Sequence, residues 1–88
     1  MKTIWKFKIG QDTVLSLPKG SEVLSVAEQF GDVNMWFLVD PNAEKETRRF
    51  TLHGTGHDVH DNVKFLGTVC LMEGNFILHA FEIVGDAA

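Results

Sequence analysis

The stretch with the most potential for chemistry is Leu52-His53-Gly54-Thr55-Gly56-His57-Asp58-Val59-His60-Asp61-Asn62. It carries three of the four histidines, two glycines around a threonine, and two aspartates. Two chemistries suit these residue types. A Gly54-Thr55-Gly56 turn can aim successive N–H groups at one point and hold an anion, because glycine reaches backbone conformations that other residues resist. His53, His57 and His60, with Asp58 and Asp61 beside them, are the ligand types of zinc or iron.

The anion reading has charge nearby. Arg48 and Arg49 precede the loop, and arginine grips phosphate through a two-pronged fork. His57 would add positive charge as pH falls. Trp36 offers a face on which a base could stack. The metal reading has less behind it. There is no HExxH and no cysteine pair, and a solvated polar turn accounts for the same residues. The glycines are not a dinucleotide fingerprint, which needs a third glycine and a following helix. They are not a P-loop either, since no Gly-Lys-Ser/Thr follows.

Nucleophilic catalysis finds no support. No serine sits in a nucleophile elbow. Cys70 has no evident activating partner and reads as a small buried hydrophobe. His79, within an apolar strand, reads as a satisfied core or interface histidine. The expectation is a non-catalytic protein without cofactor or metal.

The elements that must position these residues are strands. Trp5, Phe7 and Ile9 alternate with Lys6 and Lys8 over residues 2–9, the period-two signal of a half-buried strand. The lysine row protects such a strand from aggregation. Residues 13–17 form a second strand, which Pro18-Lys19-Gly20 ends. Residues 22–30 fit a strand with Leu24 and Val26 inward, or a helix capped by Ser21 with Val23, Ala27 and Phe30 on one stripe. The valines and the Gly31-Asp32 turn signal favour strand. Val33 to Val39 is apolar on both faces, with Trp36 and Leu38 on the second row.

Residues 46–53 alternate again. Arg48, Phe50 and Leu52 share one row; Thr47, Arg49, Thr51 and His53 share the other. Beyond the loop, residues 63–72 and 76–84 form two more strands joined by Glu73-Gly74-Asn75, and Gly67 marks a bulge or bend. Residues 85–88 are expected to fray. About seven strands with frequent turns predict an all-β fold, a small antiparallel β-barrel or sandwich. The two-sided apolar strands 33–39 and 76–84 predict a homo-oligomer.

The totals agree with one globular domain over 1–88. The chain is 44% hydrophobic with seven Phe and two Trp, enough for a core. Its formal net charge of -4 argues against polymeric nucleic acid as a partner. One cysteine excludes an internal disulfide and fits a reducing cytoplasm. No apolar run matches a membrane span, and the charged start lacks a signal-peptide core.

Several pieces together carry a likeness. They are Met1-Lys2-Thr3-Ile4-Trp5-Lys6-Phe7, Pro18-Lys19-Gly20, Leu38-Val39-Asp40-Pro41, Glu46-Thr47-Arg48, Gly54-Thr55-Gly56-His57 and His79-Ala80-Phe81-Glu82. The chain resembles a family of small proteins of unassigned function from bacteriophages and prophage-bearing bacteria. It departs after His57, where the family pattern has a proline near the position of Val59 or His60. The resemblance implies a phage origin and hence a bacterial host cytoplasm. Small oligomeric phage proteins include sponges for the nucleotide signals of bacterial immunity, an analogy of size and context.

Two functions follow as expectations. The first is sequestration of a small anionic ligand, such as a cyclic nucleotide, by Arg48, Arg49, Gly54, Thr55, Gly56, His57 and Trp36. The second is an interaction module that binds or inhibits a host protein through an apolar strand face.

Overall fold

The computed structural model describes residues 1–85. Seven strands follow in order: β1 (Thr3–Ile9), β2 (Asp12–Pro18), β3 (Glu22–Gln29), β4 (Asp32–Val39), β5 (Lys45–Gly54), β6 (Val63–Leu71) and β7 (Phe76–Ile83). One 3-10 turn, Met72–Gly74, joins β6 to β7. No α-helix occurs among the described residues, so the all-β expectation holds. Asp86, Ala87 and Ala88, most of the expected frayed tail, lie outside the described residues.

The strands form two antiparallel sheets, one ordered β1-β4-β3 and the other β2-β5-β7-β6. Period-two alternation decides what each sheet buries. Ile9, Leu17, Val33, Met35, Phe37, Val39, Phe50, Leu52, Val69 and Ala80 form the core, with Trp5 and Phe7 packed against it. Phe7, Phe37 and Phe50 stack edge to face, with ring centroids 5.8 and 5.5 Å apart. This column runs from β1 through β4 to β5 and joins the two layers. Fully burying one such side chain stabilises by roughly 1.5–3 kcal/mol.

The ambiguous segment is a strand. Its hairpin turn is Phe30-Gly31, both at positive φ (55° and 85°), with Gln29 opposite Asp32. Two left-handed residues match the right-handed twist of the flanking strands, hence the glycine. The inward assignment of Leu24 is corrected. A bulge between Val23 and Ser25 leaves Leu24 46% exposed, while Val23 and Val26 pack on the core. A bulge adds a residue and breaks the alternation, so the pattern after Val23 shifts. The bulge foreseen at Gly67 is present, between Phe65 and Gly67. Cys70 also departs from expectation: it is exposed, because its partner in the ladder is Ile77 on the outward row of β7.

β3 and β6 are edge strands of different sheets. They lie side by side without a ladder between them. A Cβ added at Gly67 would come within 2.5 Å of Val26 Cγ1, so the two strands press together there.

Candidate binding site

The Gly-Thr-Gly-His turn is closed upon itself. The His57 N–H donates to the Gly54 carbonyl (3.2 Å), and the Gly54 N–H donates to His57 Nδ1 (3.3 Å). The imidazole lies so close to Gly54 that a Cβ there would meet Cε1 at 2.9 Å. Gly56 supplies the positive φ of 88° that the reversal needs. The Thr55 hydroxyl bonds His79 Nε2 (2.9 Å), and Thr68 bonds its Nδ1 (3.0 Å). Both ring nitrogens of His79 are thus satisfied by hydroxyls, and the bond from Thr55 latches the loop to the sheet. Leu52, Leu78, Phe76, Gln11, Gly54 and His57 line a pocket of about 280 Å³ beside this turn.

The arginines are engaged elsewhere, and on opposite faces of β5. Arg48 shares the row of Phe50 and points between the sheets. Its Nε and Nη2 donate to the two Glu82 oxygens (2.6 and 2.7 Å), and Nη1 donates to the Ser21 carbonyl. The bond to Glu82 raises the guanidinium further above its ordinary value, against the opposing effect of burial. Arg49 points outward and makes the same fork with Asp12 (2.9 and 2.6 Å). That bond, with the charges of Arg49 and His60, holds the Asp12 carboxyl below its ordinary value of 3.8.

Trp36 lies across the molecule, on the outward row of the three-stranded sheet between Lys6 and Ser25. The seven residues expected to share one anion site are therefore not brought together. Gly54, Thr55, Gly56 and His57 form one turn, while Arg48 lies between the sheets and Arg49 and Trp36 lie on the outward faces of different sheets. The reason is the pleat: adjacent residues of a strand point to opposite faces. The sequence reading also passed over Asp12 and Glu82, the partners of the two arginines. Glu82 carries a readable signal, a carboxylate on the same row as Leu78 and Ala80.

The profile of a sequence family spans residues 1–87. The chain belongs to the family described as a domain of unknown function, DUF7352. Neither the curated proteins nor the solved structures contain a match to it.

Two other surfaces of this DUF7352 domain are better formed than the turn. The first is the outward face of the four-stranded sheet. The registers set Val14, Arg49, Ile83 and Val63 in one row across it, and Asp12, Thr51, Phe81 and Phe65 in the next. Phe65 and Phe81 are 5.5 Å apart, Phe81 and His53 5.8 Å, and His53 and His60 6.4 Å, all edge to face. Phe65 is 57% exposed and Val14 60%. The loop carrying His60 folds over one side of this aromatic row. The second surface is a cleft of about 420 Å³ between β3 and β6, lined by Ser21–Ser25, Lys64–Leu66, Arg48 and Glu82.

No helix among the described residues is long and apolar enough to cross a membrane. Among those residues, no group of three His, Cys, Asp or Glu side chains is arranged to hold a metal ion.

Proposed function

We propose that this domain is a non-catalytic interaction module that works as a homo-oligomer and docks proteins on the outward face of its four-stranded sheet. The observation that carries this reading is the Phe65–Phe81 pair. It lies beside Val63 and Ile83, with the Arg49–Asp12 ion pair at the margin. Aromatic anchors with an arginine nearby and a polar rim are the composition of protein interfaces rather than of bare surface. A patch on one face of a small chain can bury itself against a second copy about a two-fold axis. In the setting that the phage-type resemblance implies, the further partner would be a protein of the bacterial host cytoplasm.

The test is nuclear magnetic resonance at rising protein concentration. The amide signals of Val63, Phe65, Phe81 and Ile83, the ring signals of the two phenylalanines and the methyl signals of Val63 and Ile83 are expected to shift and broaden together. Uniform, concentration-independent spectra would remove this reading.

Sequestration of a small anionic ligand, a cyclic nucleotide included, is the second reading. What favours it is Lys64, which lines the β3/β6 cleft beside Arg48 and has no ion-pair partner among the described residues. Calorimetric titration with mono-, cyclic and dinucleotides tests it. Loss of binding on Lys64→Ala is the expected result, and no binding at millimolar nucleotide the contrary one.

A further inference from the structure

We infer that the cleft between β3 and β6 is a strand-addition site for an extended, acidic–apolar segment of a partner protein. The inference starts from a different observation than the aromatic face proposed above, with which the cleft shares Phe65. It starts from the two edges. β3 bonds only β4, and β6 bonds only β7, so each presents one unpaired main-chain edge. The edges touch at Val26 and Gly67 and open toward Ser21–Ser25 and Lys64–Leu66. Residue numbers rise in the same direction along both strands, so β3 and β6 run parallel there. A strand entering antiparallel to one is therefore antiparallel to the other, and it can bond both edges. The β3 edge from Glu22 to Ser25 spans about 13 Å at 3.3 Å per residue, room for a segment of similar length.

The bulges fall at this opening. One lies between Val23 and Ser25, the other between Phe65 and Gly67, on the two walls of the cleft. Bulges end pairing and re-aim side chains at sheet edges. Both lie beside the Val26–Gly67 contact, where the cleft begins. They also present Leu24, 46% exposed, on one wall; Leu66 lines the other. Strand addition draws affinity from main-chain bonds and specificity from alternate side chains.

The floor sets the charge of the occupant. Arg48 and Glu82 neutralise each other through their paired bonds. Lys64 stands opposite Glu82 in the ladder, on the same row, and is exposed without an ion-pair partner among the described residues. An inward-facing carboxylate on the occupant meets that ammonium. Glu22 also lines the cleft, but it pairs with Leu38 on the outward row of its sheet. An acidic side chain facing inward is therefore turned away from it. The outward-facing side chains of the occupant lie between Leu24 and Phe65 and should be apolar.

The probes are two capped hexapeptides, alternating Val–Glu and Val–Lys, titrated into the intact ¹⁵N-labelled chain. With Val–Glu, the amides of Glu22–Ser25 and Lys64–Leu66 are expected to shift and become protected from hydrogen exchange. Val–Lys should bind about fivefold more weakly, the upper end for an exposed ion pair. Lys64→Glu, a change at an exposed position, should reverse that preference. The proposal is overturned if neither peptide moves these amides at millimolar concentration, which would leave the bulges as simple edge protection. It is equally overturned if the peptides bind alike and Lys64→Glu changes nothing, or if they perturb only residues outside the cleft.

Discussion

Arg48 and Glu82, 34 positions apart, meet through two parallel N–H···O bonds of 2.6 and 2.7 Å with side chains only 16% and 11% exposed. The pair sits between the sheets at the floor of the β3/β6 cleft, and the third bond of Arg48 holds the Ser21 carbonyl. It thereby ties β5 and β7 to the start of β3. Removing one partner leaves the other charge part-buried and unpaired, which costs about 1–3 kcal/mol. Arg48→Ala should lower the urea midpoint by that equivalent. The combined Arg48→Met and Glu82→Leu replacement should recover most of the loss, since a well-packed apolar pair is often neutral or better. Chemical denaturation of the three proteins checks this, and an Arg48→Ala protein as stable as wild type would refute it.

The exposed counterpart, Arg49 with Asp12, predicts a pH effect. Because the folded Asp12 carboxyl ionises below 3.8, its contribution to stability is complete above that value. It is lost as pH falls from 3.8 toward the lower folded value. The Asp12 carboxyl signal should titrate with a midpoint below 3.8, and Arg49→Ala should move that midpoint upward. An unchanged midpoint in the variant would separate the two groups.

Gly54 and His57 make a testable pair. Gly54→Ala places a Cβ against the imidazole and displaces the acceptor of the Gly54 N–H, at a cost of about 1 kcal/mol, that of one hydrogen bond. In a His57→Ala background the same change should cost clearly less, a coupling that a double-mutant cycle reads. Additive effects would mean the ring does not rest on Gly54. Thr55→Val should leave the fold intact and speed amide exchange across residues 55–62, because it removes the bond to His79.

What the sequence disclosed was what is local. The alternation of Trp5, Phe7 and Ile9, and of Arg48, Phe50 and Leu52, set the inner rows correctly, since the pleat has a fixed period. That same alternation already put Arg48 and Arg49 on opposite faces, which is why a single site using both did not form. The row of Glu82 was legible, but its pairing with Arg48, and that of Asp12 with Arg49, was not, because these depend on which strands pair across 34 and 37 positions. The bulge at Leu24 was hidden for a similar reason: it exists only relative to the β4 register. Residue type alone suggested that Cys70 is buried; its exposure follows from its row beyond the Gly67 bulge, opposite Ile77, which residue type does not show.

The proposed docking surface is the outward face of the four-stranded sheet, around Phe65 and Phe81. The most direct test is sedimentation equilibrium at micromolar concentration on three proteins: wild type, Phe65→Glu, and Trp36→Glu on the opposite outer face. Wild type should self-associate. Phe65→Glu should weaken association by about thirtyfold or more, the loss expected at an interface hot spot. Trp36→Glu should leave it unchanged, with both variants keeping the wild-type circular dichroism spectrum. A wild-type monomer, or association lost with Trp36→Glu and kept with Phe65→Glu, would contradict the assignment of this face.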